Sequence, residues 1–266
     1  MSKRYELVKK YTRLDPIFNK HKLYRIRALC DIPQYDVRAG DLGGWVEGEH
    51  NLSQDCSYEA WVGGNACVFD HAQVAGHALV CDNAAVYGSA RVLTCACVCG
   101  GARVTGSATV KDNAVVSGSA KVSGNAWVRD NARVYGFAEV HSRASVSGVA
   151  HVHGGACLDS PVVVSQNADI RSQYDWLYIS HVMSTYHDDI DAEAISAFRT
   201  AHGDIYVRYD YPDAVPLESL KARDNRVCQA MCKLIRVHMG ADWWGSTAWA
   251  DDLDAHAMKS VRDRHN

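Results

Sequence analysis

The stretch ARVTGSATVKDNAVVSGSAKVSGNAWVRDNARVYG, residues 102–136, has an alanine at every sixth position and a valine two residues after each alanine. The spacing extends in both directions, from Ala60 to Ala168, through nineteen consecutive hexads in which only Val162 replaces the alanine. A period of six does not match the 3.6-residue repeat of an α-helix, whereas residues two apart share one face of a β-strand. Each Ala-x-Val unit therefore predicts a very short strand with both apolar side chains directed inward.

A turn residue stands two positions after most of these valines, and it is usually glycine or aspartate, as at Gly64, Asp70 and Gly76. Glycine tolerates the positive φ that a sharp corner needs, and short polar residues accompany it in turns. Strands that alternate with corners, with every apolar side chain inward, predict a coil of triangular cross-section around a thin core. Three hexads form one coil of 18 residues, so the nineteen hexads predict about six coils, with residues 18 apart stacked at about 4.8 Å.

The hexads resemble those of the hexapeptide-repeat family, whose fold is a left-handed parallel β-helix. Two segments before the repeats, VRAGDLGGWVE at residues 37–47 and NLSQ at residues 51–54, are similar to the YdcK-like bacterial subgroup and its prophage-borne relatives. The resemblance covers residues 22–170. It implies the left-handed winding, which the period alone does not set, and a phage or prophage origin. No activity follows from the subgroup, because fold does not imply function.

The regions on either side of the repeats predict two further units. The expected domains are an N-terminal β cap that leads into the coils, the β-helix itself and a small C-terminal α+β domain, at residues 1–59, 60–170 and 171–266. The predicted fold class is therefore mainly β, a left-handed parallel β-helix with these two additions.

Within the C-terminal region, residues 174–182 predict a strand, and residues 195–200 and 205–210 predict a hairpin. A helix is expected after Pro216, with Leu220, Val227, Met231, Leu234 and His238 on one face.

Composition excludes several classes of protein. The chain has 266 residues, of which 47% are hydrophobic and 22% charged, and a formal net charge of −3, as in ordinary globular proteins. No run of eighteen apolar residues predicts a membrane span. The N-terminus lacks the apolar segment of a secretory signal, and ten cysteines without such a signal indicate a reducing compartment. The expected location is the cytoplasm.

The family resemblance implies one enzymatic alternative. Many hexapeptide-repeat proteins are acyltransferases, typically trimers that bind acyl-coenzyme A between neighbouring prisms and use a histidine as general base. The candidate histidines in the repeats are His71, His77, His141, His151 and His153.

His151 and His153 flank Val152 and are therefore expected to point outward together, with Arg133 and Tyr135 beside them one coil earlier. No loop interrupts residues 60–170 to shape a pocket, so surface histidines are the favoured interpretation. His151 and His153 are catalytic candidates, and acyl-coenzyme A a cofactor, only under the acyltransferase alternative.

The sequence predicts no metal site. Cys95, Cys97 and Cys99 alternate along one strand and Cys81 stacks on Cys99, but this spacing lacks the turn geometry of the usual zinc motifs, which favours free outward thiols. The run His-Asp-Asp-Ile-Asp at residues 187–191 is interpreted as a solvated loop.

A second alternative is nucleic-acid binding through the N-terminal segment. Residues 1–27 contain nine basic and two acidic residues, interleaved with aromatic residues at Tyr5, Tyr11, Phe18 and Tyr24. This composition suits phosphate contacts and base stacking. A two-stranded cap with solvated charges has the same composition and is favoured.

The leading hypothesis is a non-catalytic binding scaffold that engages a host protein or a nucleotide signal. Aromatic residues anchor protein interfaces, so Trp243, Trp244 and Trp249 near the C-terminus are the predicted partner contacts, together with Arg133 and Tyr135. Self-association as a dimer or trimer is expected, and no membrane partner is expected.

Overall fold

The computed structural model describes residues 3–55, 57–182, 192–209, 214–221 and 226–239. These residues form a mainly β structure, a parallel β-solenoid of about seven turns with little helix. Nineteen two-residue strands stack in three parallel sheets, which are the three sides of the solenoid.

The sheets are named face 1, face 2 and face 3. Face 1 contains the strands Cys67–Val68, Ala85–Val86, Arg103–Val104, Lys121–Val122, Glu139–Val140 and Cys157–Leu158. Face 2 contains Trp61–Val62, Leu79–Val80, Cys97–Val98, Val115–Val116, Arg133–Val134, His151–Val152 and Asp169–Ile170. Face 3 contains Gln73–Val74, Arg91–Val92, Thr109–Val110, Trp127–Val128, Ser145–Val146 and Val163–Val164.

Residues 18 apart are paired in every sheet, as predicted. Arg133 pairs with His151, and His151 pairs with Asp169 in turn. The repeated alanines and the valines two residues after them are buried, and their stacked side chains fill the core. In the strand Val115–Val116, the first valine is half-buried on the outside and the second is fully buried. The alternation of inward and outward positions is therefore confirmed.

The corners have the left-handed backbone conformation that the sequence predicts. Glycine occupies many of them, and aspartate, threonine, serine or glutamine occupies seven more with φ between 55° and 61°. An aspartate at a corner also bonds to the next coil, since Gly100 N–H donates to Asp82 at 2.9 Å and Gly148 N–H donates to Asp130 at 2.9 Å. This bond stabilises the stacking of successive corners.

The solenoid has about seven turns instead of the six that were predicted, because the segment before the hexads contributes to the stack. The strand Leu42–Val46 pairs in parallel with Cys67–Val68 on face 1. Leu52 forms a parallel bridge with Val74 on face 3. Parallel stacking therefore begins before residue 60.

Two antiparallel strands, Tyr5–Leu14 and Lys22–Ala28, extend face 1 beyond Leu42–Val46. Tyr5, Ile26 and Ile32 are buried in the same apolar cluster as the residues of the first coil. Two short 3-10 helices, Pro33–Tyr35 and Glu49–Asn51, lie in this region.

The C-terminal region begins with a 3-10 helix, Gln173–Asp175, and continues with an antiparallel sheet of the strands Trp176–Val182, Ala192–Arg199, Ile205–Tyr209 and Val215–Pro216. Strands therefore lie in the ranges where the sequence predicts a strand and a hairpin. The segments Leu217–Lys221 and Arg226–Met239 form helices α1 and α2.

The predicted helical face was wrong in one respect. Cys232, Ile235 and Met239 are buried on α2, whereas Leu234, which we assigned to the shared face, is 44% exposed. The apolar residues of α2 form two neighbouring stripes along the helix, and the sequence does not show which stripe is buried. The stripe that contains Ile235 is buried, because it packs in the same apolar cluster as Leu217. Among the described residues, no helix is long and apolar enough to cross a membrane.

Candidate functional site

A cluster of polar side chains occupies the C-terminal half of face 2. It is formed by two neighbouring columns of outward residues, because every strand repeats the orientation of the strand 18 residues earlier. The first column contains Arg133, His151 and Asp169. The second contains Tyr135, His153 and Arg171, which follow the three strands at equivalent positions. We refer to these six residues as the face 2 cluster.

Asp169 holds part of this cluster in place. Nε2 of His153 lies 2.7 Å from Oδ1 of Asp169, and the Arg171 guanidinium donates to Oδ2 at 3.0 Å and 2.6 Å. Partial burial raises the pKa of Asp169, but the bonds from His153 and Arg171 outweigh it and hold this pKa below its ordinary value. Asp169 is therefore ionised at neutral pH.

Tyr135 connects the two histidines. Its ring stacks on the His153 ring, with centroids 4.8 Å apart and an interplanar angle of 5°. Its hydroxyl oxygen lies 3.5 Å from Nδ1 of His151. The residue one coil earlier in its column is Ser117, whose side chain is small, so no large neighbour in that column covers the other face of the ring.

Arg133 is exposed, and its guanidinium has no hydrogen-bond or ionic partner within the described ranges. The cluster thus contains two guanidinium groups and one carboxylate, and Asp169 is already paired with Arg171. The surplus positive charge, beside an aromatic ring and two imidazoles, suits a ligand with an anionic group.

The structure brings together the four residues that were predicted from the sequence, His151, His153, Arg133 and Tyr135, on one outward face. Sequence reasoning missed Asp169 and Arg171. The signal that would have found them is the same 18-residue spacing, because Asp169 follows His151 by one coil and Arg171 follows His153.

The other candidate histidines lie elsewhere. His71 is exposed at a corner. His77 is half-buried, with its ring 5.6 Å from that of Tyr58, and its carbonyl oxygen accepts a bond from the Tyr35 hydroxyl. His141 lies on face 1 beside a cysteine, and it is described further below.

Three of the clustered cysteines are half-buried together near the N-terminal end of face 2, while Cys95 is exposed. The hydrogen bond between the Cys97 and Cys81 thiols lowers the pKa of Cys81 and raises that of Cys97, and burial raises the pKa of Cys99. One side of this group borders a shallow cavity of about 430 Å³ that is lined by Tyr35, Val37, Asp41, Leu42, Trp61, Gly63, Gly64, Leu79 and Cys81. The described cysteines are all free thiols.

Five of the nine basic residues in the N-terminal segment contact other parts of the chain. Arg4 is buried and donates to the carbonyl of Tyr58. The guanidinium groups of Arg13 and Arg25 both lie over the Trp45 ring, at 4.5 Å and 5.3 Å from its centroid. Two further basic residues form the ion pairs Lys3–Glu49 and Arg27–Glu6. These contacts give five of the basic residues a structural role, whereas Lys9, Lys10, Lys20 and Lys22 are exposed.

The predicted partner contacts Trp243, Trp244 and Trp249 lie outside the described residues, as does the acidic run at residues 187–191. No protein-family model matches the chain, and no curated protein matches it. The fold and the site together define a β-solenoid protein with a cationic, aromatic cluster on one face.

Proposed function

We propose that this protein is a non-catalytic β-solenoid binding protein whose face 2 cluster takes a small ligand that carries an anionic group and a planar ring, as a nucleotide does. The observation that carries the proposal is the guanidinium of Arg133, which has no partner in the part of the chain that the structure describes. It lies one coil from His151, with the ring of Tyr135 in the next column.

Each part of such a ligand has a matching group. Arg133 offers a planar fork of donors to a phosphate, and His151 lies one coil further along the same column. Tyr135 is half-buried and stacks on His153, and the residue one coil earlier in its column is the small Ser117, so its ring is suited to stack a base. The bonds of Asp169 to His153 and Arg171 hold the second histidine in a fixed orientation, which lowers the ordering cost of binding.

The fold-level part of the proposal follows the family resemblance. We propose a left-handed hexapeptide-repeat helix of the YdcK-like subgroup, with residues 1–59 as an N-terminal cap and residues 171–266 as a small α+β domain. A phage or prophage origin would make a nucleotide signal or a protein of the host the natural partner. The free thiols are consistent with a cytoplasmic location.

Self-association as a dimer or trimer is part of the same proposal. Phe137 is 75% exposed at the corner between face 2 and face 1, and Val149 is 52% exposed at the corner between face 3 and face 2. A contact with a second copy along either edge would remove one of these apolar side chains from water.

A test is native mass spectrometry of the full chain, purified under mild conditions and then incubated with a panel of ribonucleotides. We expect an assembly of defined stoichiometry that retains one ribonucleotide per chain. A protein retained in stoichiometric amount, with no nucleotide bound, would replace the ligand class by a protein partner. A chain that binds neither would contradict the proposal.

An acyltransferase is the second candidate, and the pair formed by His153 and Asp169 favours it. A carboxylate 2.7 Å from an imidazole nitrogen orients a histidine as it does in general-base sites. Under this alternative, acetyl-coenzyme A binds with micromolar affinity and turnover is lost in His153→Ala. Retention of a coenzyme A-sized mass in the native spectrum would support it, and absence of both binding and turnover would exclude it.

A further inference from the structure

A second group of side chains lies on face 1, away from the face 2 cluster. Glu139 and Cys157 are paired in the parallel ladder one coil apart, and His141 follows Glu139 in the neighbouring column. Sγ of Cys157 lies 3.4 Å from Nε2 of His141. A carboxylate oxygen of Glu139, an imidazole nitrogen of His141 and the sulfur of Cys157 lie within 4.8 Å of one another, and all three residues are half-buried.

These atoms are a ligand set for a borderline transition-metal ion. Zinc binds thiolate, imidazole and carboxylate at about 2.0–2.3 Å, which places tetrahedral ligands roughly 3.5 Å apart. The observed separations, which are at most 4.8 Å, therefore need to close by at most about 1.3 Å, which side-chain rotation on fixed strands supplies. Calcium and magnesium prefer oxygen ligands throughout, so a thiol and an imidazole at the centre disfavour them.

The neighbours of these residues support a cation at this point. The carboxylates of Asp159 and Glu139 both interact electrostatically with the Cys157 thiol. Their negative charges attract a divalent cation to this point. Oγ of Ser142 lies 3.4 Å from Nδ1 of His141, so that the other nitrogen, Nε2, faces the sulfur.

One contact competes with a metal. Lys121 Nζ donates to a carboxylate oxygen of Glu139 at 2.6 Å, and this bond lowers the pKa of Glu139. Lys121 is exposed, and a carboxylate has two oxygens, so Glu139 can keep the lysine on one oxygen and offer the other.

A second cluster of ligand-type residues contains His21, Glu47 and Asp70, and its side chains are held by contacts with one another and with the backbone. Both ring nitrogens of His21 already face carboxylates, at 3.2 Å from Glu47 and 3.1 Å from Asp70. The Glu47 carboxylate also accepts the backbone N–H of Asp70, and the Asp70 carboxylate accepts the backbone N–H of Gly88. These groups satisfy one another and connect the N-terminal strands to the first coils, so this cluster is structural.

We propose that Glu139, His141 and Cys157 form a binding site for Zn²⁺ or a divalent metal ion of similar preference. The chain supplies three ligands, and the half-buried position on an outer face leaves a fourth open to water or to an exogenous ligand. The site is independent of the proposed ligand site on face 2, since the two groups of residues lie on different sheets.

The test is a titration of the full chain with Co²⁺, whose thiolate charge-transfer and tetrahedral bands report the ligands, followed by displacement with Zn²⁺. The background carries Cys81→Ser, Cys97→Ser and Cys99→Ser, so that the thiols on face 2 do not contribute. We expect one equivalent of metal. Cys157→Ser should abolish the charge-transfer band, and His141→Ala should weaken Zn²⁺ binding at least tenfold.

The matched controls are Cys95→Ser and His71→Ala, which change an exposed thiol and an exposed histidine outside the site and should leave the affinity unchanged. Circular dichroism of each variant checks that the solenoid is intact, which is expected because all the substituted side chains point outward. Metal binding that survives both Cys157→Ser and His141→Ala, or no binding at tens of micromolar Co²⁺, would overturn the proposal.

Discussion

The neighbouring valines of the strand Val115–Val116 offer a direct test of the core. They have the same side chain and belong to the same strand, but Val115 is half-buried on the outside of face 2 whereas Val116 is fully buried in the ladder of valines. Substituting each by alanine removes the same two methyl groups from opposite sides of one strand.

The cost at Val116 has two parts. Transfer of two buried methyl groups to water costs about 1.6 kcal/mol at 0.8 kcal/mol each. A cavity of roughly 50 Å³ adds about 1 kcal/mol, because neighbouring strands cannot collapse into it. We therefore expect Val116→Ala to lose roughly 2–3 kcal/mol of unfolding free energy. Val115→Ala should lose less than about 1 kcal/mol, since its side chain already contacts water.

The assay is urea unfolding followed by circular dichroism, with the midpoint and slope compared between wild type and the two variants. A change of midpoint at constant slope reports stability, and a change of slope would reveal uncoupled unfolding of separate coils, which repeat arrays can show. Equal losses for the two variants, or a larger loss for Val115→Ala, would refute the assignment of inward and outward positions.

Three further predictions follow from individual contacts. Asp15 accepts backbone N–H bonds from four residues at 2.6–3.0 Å. Asp15→Asn replaces one acceptor oxygen by a donor and should lower the free energy of unfolding, measured in urea, by roughly 2–4 kcal/mol. A loss below about 0.5 kcal/mol would contradict the importance of these four bonds. Gly106 has a φ of +67°, and an added Cβ would lie 2.8 Å from the amide nitrogen of Gly124. A Cβ at Gly101 would make only an ordinary contact at 3.5 Å. Gly106→Ala should therefore lower the melting temperature by more than Gly101→Ala does. The pKa of Asp169 is lowered in the folded state, so its ionic contribution to stability is present above the unfolded pKa of about 3.9 and is lost as the pH falls. The stability difference between wild type and Asp169→Asn should therefore shrink below about pH 4, and a difference that does not depend on pH would contradict this role.

The solenoid was predictable from the sequence because its rule is local and repeated. An alanine and a valine two residues apart are directed inward wherever they occur, so Val116 and Val134 follow the same rule as Val62. The 18-residue coil then places His151 beside Arg133 without further information.

Features outside the repeat were less predictable. The strand Leu42–Val46 lacks the hexad pattern, so its parallel pairing with the first coil, and with it the seventh turn, was missed. On α2, two apolar stripes are compatible with the sequence, and only packing against Leu217 decides for Ile235 over Leu234.

The polar sites were predicted only in part. The 18-residue spacing shows which outward side chains are neighbours, but it does not show which of these neighbours are close enough to bind a ligand together. Glu139 and Cys157 are 18 residues apart, so their proximity was implied, but the resulting set with His141 was recognisable only once the distances were known. His77 was a candidate because it is a histidine within the repeats. The six-residue period did not imply its half-buried position beside Tyr58.

The most direct measurement of the central claim uses three arginines that occupy the same hexad position on different faces. Arg133 lies on face 2, Arg103 on face 1 and Arg91 on face 3, and all three are exposed. Each is replaced by alanine in the full chain, and ribonucleotide binding is measured by isothermal titration calorimetry. A charge-assisted bond to phosphate contributes roughly 1.5–3 kcal/mol, so Arg133→Ala should weaken binding by about 10- to 100-fold. Arg103→Ala and Arg91→Ala should bind as wild type does. Equal weakening by all three substitutions, or no binding by the wild-type chain, would contradict a specific ligand site on face 2.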